Sequence, residues 1–245
     1  MALYRDQGVV LRTIRLGEAD RIVTLATSGR GKVRAVVKGV RKTTSRWGSR
    51  MEPMSHVSVI CWQGRDLDTV TQAHVLDHFR VVRSDLDRLS RARVVLEVVD
   101  QVFQEGQANP RLYSMLVGAL RTMDSADSPL VMSGFLWKLL ALEGSAPVLD
   151  ACARCSTPAS ELRPVGLVAF DLVEGGALCR SCRRGMPVSG EALAVIGRIL
   201  GGDLAGVLRE LASPSPITTE VDHLAAFALE QHLERRIRSL HALDH

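Results

Sequence analysis

The sequence predicts an α+β protein, a five-stranded N-terminal barrel followed by a helical domain that carries a cysteine-bearing insert. Three observations lead there. Short runs rich in β-branched residues, punctuated by glycine, fill the first 75 residues. From about His78 onward the apolar residues recur at helical spacing. Two Cys-x2-Cys pairs, Cys152 with Cys155 and Cys179 with Cys182, interrupt that helical part. Alternation at period two marks strands, and recurrence at three and four marks helices.

The strands are placed in order. Residues 8–14 form the first, and a turn through Gly17 leads to the second over Asp20–Thr27. Gly29 and Gly31 make a tight connection to the third, residues 32–40. The fourth, His56–Trp62, follows Pro53, and a turn at Gln63, Gly64 and Arg65 returns the chain as a fifth over residues 67–73. Five strands in a small basic module suggest an OB-type barrel, with an SH3-like barrel as the alternative of similar strand count.

The helical part is read from its caps and stripes. Ser84 with Asp87 makes a capping-box pattern ahead of Val95, Val98, Val99, Val102 and Phe103. Asn109 and Pro110 start a second helix, with Leu112, Met115, Leu116, Ala119, Leu120 and Met123 as its stripe. Ser128 and Pro129 start a third, which runs to about Glu143 and is stopped by Gly144 and Pro147. Past the insert, Ser189 opens a short helix through Leu200, and Gly201 and Gly202 end it. Residues 213–216 read as a linker. Thr219 and Asp222 then cap a last helix carrying Leu224, Leu229, Leu233, Ile237 and Leu240, with Arg235, Arg236 and Arg238 in its final turns. The expected domains are residues 1–79 for the barrel, 80–149 and 188–245 for the two parts of the helical domain, and 150–187 for the insert.

Charge is distributed unevenly. Residues 1–80 hold 14 Lys and Arg against 7 Asp and Glu, whereas the remainder holds 17 against 20. Within residues 30–50 stand eight cations and no carboxylate: Arg30, Lys32, Arg34, Lys38, Arg41, Lys42, Arg46 and Arg50. Lys32, Arg34 and Lys38 share one parity and Val33, Ala35 and Val37 the other, so this strand should bury an apolar row and show water a basic one. Past Gly39 the alternation stops, and residues 41–50 read as a mobile basic loop with Trp47 in its middle. Such a strand and loop suit a chain of phosphates, with Trp47 as a base-stacking surface. A solvated strand with a flexible loop is the alternative.

The two cysteine pairs, 23 residues apart, offer four thiolates, the number that closes a tetrahedral Zn²⁺ site and leaves no open position. The metal would be structural, stapling an insert too poor in apolar residues to fold alone. Arg154, Arg180, Arg183 and Arg184 decorate it, either as solvated charge or as phosphate contacts. Cys61 stands apart as a small core residue. No phosphate-binding loop, His-Glu-x2-His pattern or Gly-x-Ser-x-Gly elbow occurs, and Asp66 and Asp68 read as turn formers. The chain is therefore expected not to be an enzyme. Its N-terminus shows no apolar leader pattern and no apolar run is long enough to span a bilayer, so a soluble, cytoplasmic protein is expected, associated with the nucleoid if it binds DNA.

Several segments carry a family likeness: LYRDQGVVLRT, LGEADRIVTL, GKVRAVVKGVRKTTSRWGSRMEP, GRDLDTVTQA, LYSMLVGALR and the paired cysteines. In order, along essentially the whole chain, they resemble the bacterial RecO family of recombination mediators in its zinc-bearing, actinobacterial form. The resemblance implies an OB-fold, a helical domain and a zinc finger. It also implies binding of single- and double-stranded DNA and annealing of complementary strands. The implied partners are RecR, the C-terminal tail of single-stranded-DNA-binding protein and, indirectly, RecA. The family's basic pattern falls on Gly31, Lys32, Lys38, Gly39, Arg41, Lys42, Ser45 and Arg46, and its metal thiols on Cys152, Cys155, Cys179 and Cys182. Two positions depart from it: Trp47 stands where Phe is usual, and Ser156 where Gly is usual. A zinc-stabilised protein-interaction scaffold is the second reading, with nucleic-acid binding incidental. A zinc-dependent hydrolase is the third, disfavoured because four thiolates leave no open metal position.

Overall fold

A computed structural model describes residues 2–41, 45 and 47–241. It contains five N-terminal strands, β1 (Leu3–Leu16), β2 (Asp20–Thr27), β3 (Gly31–Val37), β4 (His56–Trp62) and β5 (Asp68–Asp77). They close into a barrel in the order β1-β2-β3-β5-β4, with β3 and β5 parallel and the other neighbours antiparallel. This is an OB-type barrel following the five-strand order of the sequence, and β2 and β4 fall on their expected bounds. β1 and β5 run longer than expected, and register shifts at Val10/Arg12 of β1 and opposite Ile60/Cys61 in β5 let them wrap the barrel. The interior is built from the inward parity of each strand: Val10, Val23, Leu25, Val33, Ala35, Val37, Val57, Val59, Cys61 and Val70.

Three helices follow, α1 (Arg80–Ser84), α2 (Leu86–Val102) and α3 (Pro110–Ser125). The cap of α2 is Asp85, whose carboxylate accepts the Arg88 N–H at 3.0 Å, rather than the expected Ser84 and Asp87 pair. Asn109 caps α3 as expected, accepting from the Leu112 N–H at 3.0 Å. These helices form one compact unit with the barrel. Asp100 of α2 pairs with Arg12 of β1 at 2.6 Å. His56 of β4 lies between Asp77 of β5, at 2.6 Å, and the Tyr113 hydroxyl of α3, at 2.8 Å. Gly31 opens β3 with φ of +71°, and a Cβ there would collide with the carbonyl oxygens of Gln104 and Gln107 after α2.

The second compact unit spans Ala126–Leu240. Its centre is α4 (Leu130–Leu142), apolar around its circumference and buried over most of its length. Around it pack α5 (Gly190–Leu200), α6 (Leu204–Glu210) and α7 (Pro216–Leu233). Ser189 caps α5 as expected. The seven-residue α6 was not expected. The cap of α7 is Ser215, which forms a capping box with Thr218, so the start lies earlier than the expected Thr219 and Asp222. That helix ends at Glu234, in the left-handed region, and α8 (Arg238–His241) is a separate turn. Arg235 and Arg236 thus lie between helices rather than inside one. Ile237 and Leu240 are buried all the same. Between α4 and α5 sits the insert, with strands β6 (Leu167–Asp171), β7 (Gly176–Cys179) and β8 (Met186–Pro187) in the order β7-β6-β8. Phe170 of β6 meets Trp137 of α4 edge-on, with centroids 6.0 Å apart. Among the described residues no helix is long and apolar enough to cross a membrane.

Candidate nucleic-acid interface and metal centre

Strand β3 shows the expected two-faced pattern. Val33, Ala35 and Val37 are buried, and Arg34 and, just past the strand, Lys38 are exposed. Neither Arg34 nor Lys38 has a side-chain partner among the described residues. Lys32 shares their parity, yet its ammonium donates to the Asp100 backbone carbonyl and lies 3.4 Å from the Asp100 carboxylate. Its side chain is 16% exposed, so its charge is committed to α2 rather than offered to solvent.

The basic loop is partly tethered. The Arg41 N–H donates to the Ala19 carbonyl at 2.9 Å and its guanidinium to the Gly17 carbonyl at 3.2 Å, which holds the loop's start against the β1–β2 turn. Arg50 is exposed in a 3-10 turn over Gly48–Met51. Lys42 and Arg46 lie outside the described residues. Trp47 corrects the expectation of a stacking surface. It is 3% exposed, packs into the barrel core with Met51, and donates its indole N–H to the Lys38 carbonyl at 2.8 Å. An aromatic in a basic stretch can serve as an anchor as readily as a platform, and here the ring belongs to the barrel core.

Beside β3 a cleft is bordered by Arg30, Arg34, Gln63, Arg65, Asp66 and Asp68. Arg65 had no signal in the sequence, since it joins Arg34 only when β3 pairs in parallel with β5, whereas Arg30 belongs to the basic stretch itself. Arg30 lies over the Tyr4 ring, 3.8 Å from its centroid, and the Tyr4 hydroxyl donates to Asp68. Burial and that carboxylate both raise the Tyr4 pKa. Asp68 also accepts the Gly64 N–H at 2.9 Å, the arrangement of a turn former. Cys61 is fully buried, and burial pushes its thiol up to about 12.

In the insert, the sulfurs of Cys152, Cys155, Cys179 and Cys182 all lie within 4.8 Å of one another. The knuckle at Cys152 is closed by the Ser156 N–H donating to the Cys152 carbonyl at 2.8 Å, with Ser156 at φ of +59°. The position where Gly is usual in the resembling family is therefore a left-handed one. Ala153 donates to Ala177 of β7 at 2.8 Å, which brings the first knuckle onto the strand that ends in Cys179.

This donor set fits one tetrahedral thiolate-bound ion. Metal–sulfur bonds of about 2.3 Å give a tetrahedron with edges of about 3.8 Å, and Cys155 and Cys179 stand 3.9 Å apart. Proton affinities agree. Burial opposes ionisation of Cys152, yet the backbone N–H groups of Cys179, Cys155 and Arg154 hold its thiol down at about 6. The Thr157 hydroxyl and N–H lower the Cys155 pKa. Burial and the neighbouring sulfurs push Cys182 up to about 12, because crowded thiols do not all ionise without a cation among them. The surrounding arginines divide. Arg184 pairs with Asp171, at 3.1 Å, and with Glu174. Arg154, Arg180 and Arg183 are exposed and have no side-chain partner among the described residues.

Comparison with known proteins matches both parts of the chain. Residues 1–79 match the family model described as Recombination protein O N terminal, and residues 83–241 that described as Recombination protein O C terminal. A DNA repair protein RecO from Frankia casuarinae is 41% identical, with 100% of this chain and 99% of that protein covered. One from a Nocardioides species is 43% identical, covering 97% and 98% respectively. On both the barrel half and the helical half, the chain belongs to the recombination protein O family.

Proposed function

We propose that this chain is a non-catalytic DNA-repair and recombination mediator. In this reading it binds single- and double-stranded DNA and anneals complementary strands in the cytoplasm, at the nucleoid. With RecR it helps load RecA onto DNA covered by single-stranded-DNA-binding protein, whose C-terminal tail it engages. The observation that carries the reading is the exposed pair Arg34, on a barrel strand whose other face is buried, and Lys38, just past its end. Those cations are held at fixed spacing by the core behind them, while Arg41 and Arg50 extend the basic surface beyond the strand. Lys42 and Arg46 belong to the same stretch. Annealing follows from charge: neutralising the phosphates of two strands lowers their repulsion and leaves the base edges free to pair. One Zn²⁺, held by Cys152, Cys155, Cys179 and Cys182, would lock the insert and take no part in chemistry.

The test is single-strand affinity as a function of salt. Each phosphate contact contributes a log–log slope of about −0.7. Reversing both charges in Arg34→Glu with Lys38→Glu should flatten the slope by about two contacts. An unchanged slope would remove these residues from the interface. Annealing of complementary strands coated with single-stranded-DNA-binding protein should be accelerated by the wild-type protein, whereas a pure scaffold would give no acceleration.

A further inference from the structure

We infer that Trp62 is the base-stacking residue of the barrel, on a nucleic-acid face that runs from the basic row of β3 across β5 and β4 to β1. The inference rests on the DNA-binding reading above and names the residue that would hold bases there. Strand register carries it. Val36 of β3 pairs with Thr69 of β5, Thr69 with Trp62 of β4, and Trp62 with Leu3 of β1. Directly paired residues share a face, so these four form one lane across the outside of the barrel. None of the four is buried, whereas the neighbouring inward positions Ala35, Val37, Val70 and Cys61 are.

Arg34 and Lys38 flank Val36 on the same parity, which sets them on either side of that lane. Trp62 lies two strand spacings from Val36, roughly 10 Å. Arg5 pairs with Ile60 in the next outward row, so it borders the indole on β1. Ile60 in turn faces Gln72, and Ser58 faces Gln7 and His74. The outward positions named here carry Arg5, Arg34 and Lys38 but no carboxylate. Asp6 and Asp68 belong to the inward parity, where Asp6 is buried and Asp68 is engaged by Tyr4.

The indole itself is unusual for an exposed strand end. It is 47% exposed and has no hydrogen-bond partner among the described residues. The other two tryptophans are core residues, Trp47 at 3% and Trp137 at 1%. An exposed ring on a face that also carries guanidiniums at fixed positions is the composition that binds single strands without sequence preference: cations follow the backbone and the ring stacks bases. In a barrel of this type the β4–β5 hairpin, which Trp62 precedes, belongs to the ligand-binding side.

Full-length protein, an oligothymidine and an abasic oligomer of equal length test it. Binding of oligothymidine should quench tryptophan emission, and the quenching should vanish in Trp62→Ala. That variant should lose roughly tenfold in oligothymidine affinity while keeping the wild-type salt slope, abasic-oligomer affinity and melting temperature. Trp62→Phe should restore most of the affinity. The inference is overturned if Trp62→Ala binds oligothymidine as the wild type does, or loses equally on the abasic oligomer, or alters only self-association. If Arg34→Glu with Lys38→Glu weakens binding and Trp62→Ala does not, the stacking role alone fails. If the wild-type protein binds neither oligomer, the DNA-binding reading fails and the stacking role goes with it.

Discussion

Ser156 is the residue at which sequence and backbone pull apart. Its φ of +59° puts an L side chain in the left-handed region, which costs about 1–2 kcal/mol. Its hydroxyl makes no contact among the described residues that would offset this. Glycine relieves the strain but gains about 0.4–1 kcal/mol of freedom in the unfolded chain. Ser156→Gly should therefore stabilise the insert by a net of about 0.5–1 kcal/mol, read as a higher denaturation midpoint of the metal-loaded protein. An unchanged or lower midpoint would mean that the serine meets a need that backbone conformation does not explain. The departure at Ser156 was visible in the sequence, but the strain was not, because φ is a property of the closed knuckle. Trp47 shows the opposite limit. It sits outside any periodic segment, so no parity argument could tell core from surface, and its basic neighbours suggested the wrong side. Trp62 had parity but no charge run beside it in the sequence. Its cationic neighbours arrive from β1 and β3 only through strand pairing.

At the scale of elements, helix starts depend on which of several capping residues takes the non-helical backbone. Of the three candidates, Ser84 ends α1 and Asp87 lies in the first turn of α2, whereas Asp85 between them has the extended φ and ψ of a cap, −116° and 122°. Asp85→Ala should cost about 1 kcal/mol in the unit that holds the barrel, seen as a lower urea midpoint, while Ser84→Ala should change it far less. Equal losses from the two substitutions would reassign the cap. The same degeneracy displaced the expected start of α7, where Pro216 read as linker is in fact the first helical residue after Ser215. Strands were read better. Over His56–Trp62 the buried Val57, Val59 and Cys61 alternate with less buried neighbours, so the inward row shows directly in the apolar pattern. The break after α7 had no Gly or Pro to announce it. Glu230 makes it possible by accepting the Ile237 N–H at 2.7 Å, replacing a helical carbonyl with a side chain.

For the whole molecule, the basic excess and the thiol cluster fall in different compact units. The excess lies in the first 80 residues, within the unit formed by the barrel and α1–α3, whereas the thiols lie in the other unit. If the metal only staples the insert, removing it should unfold that insert and leave the barrel's phosphate contacts intact. Metal binding and folding are one equilibrium in such a site. Cys179→Ser removes one of the four clustered thiols, 4% exposed and paired with Leu167 in the β6–β7 ladder. Purified wild-type protein should hold about one zinc per chain, and Cys179→Ser should hold none. Limited proteolysis of the variant should cut within residues 150–187, and its single-strand salt slope should match that of the wild type. A variant that keeps its zinc would remove Cys179 from the ligand set. A variant that loses zinc and also flattens the slope would instead bring the exposed Arg154, Arg180 and Arg183 into the DNA interface, since those are the cations that the folded knuckles hold in place. The slope therefore separates a brace from a second contact surface, because counter-ion release counts phosphate contacts wherever in the chain they arise.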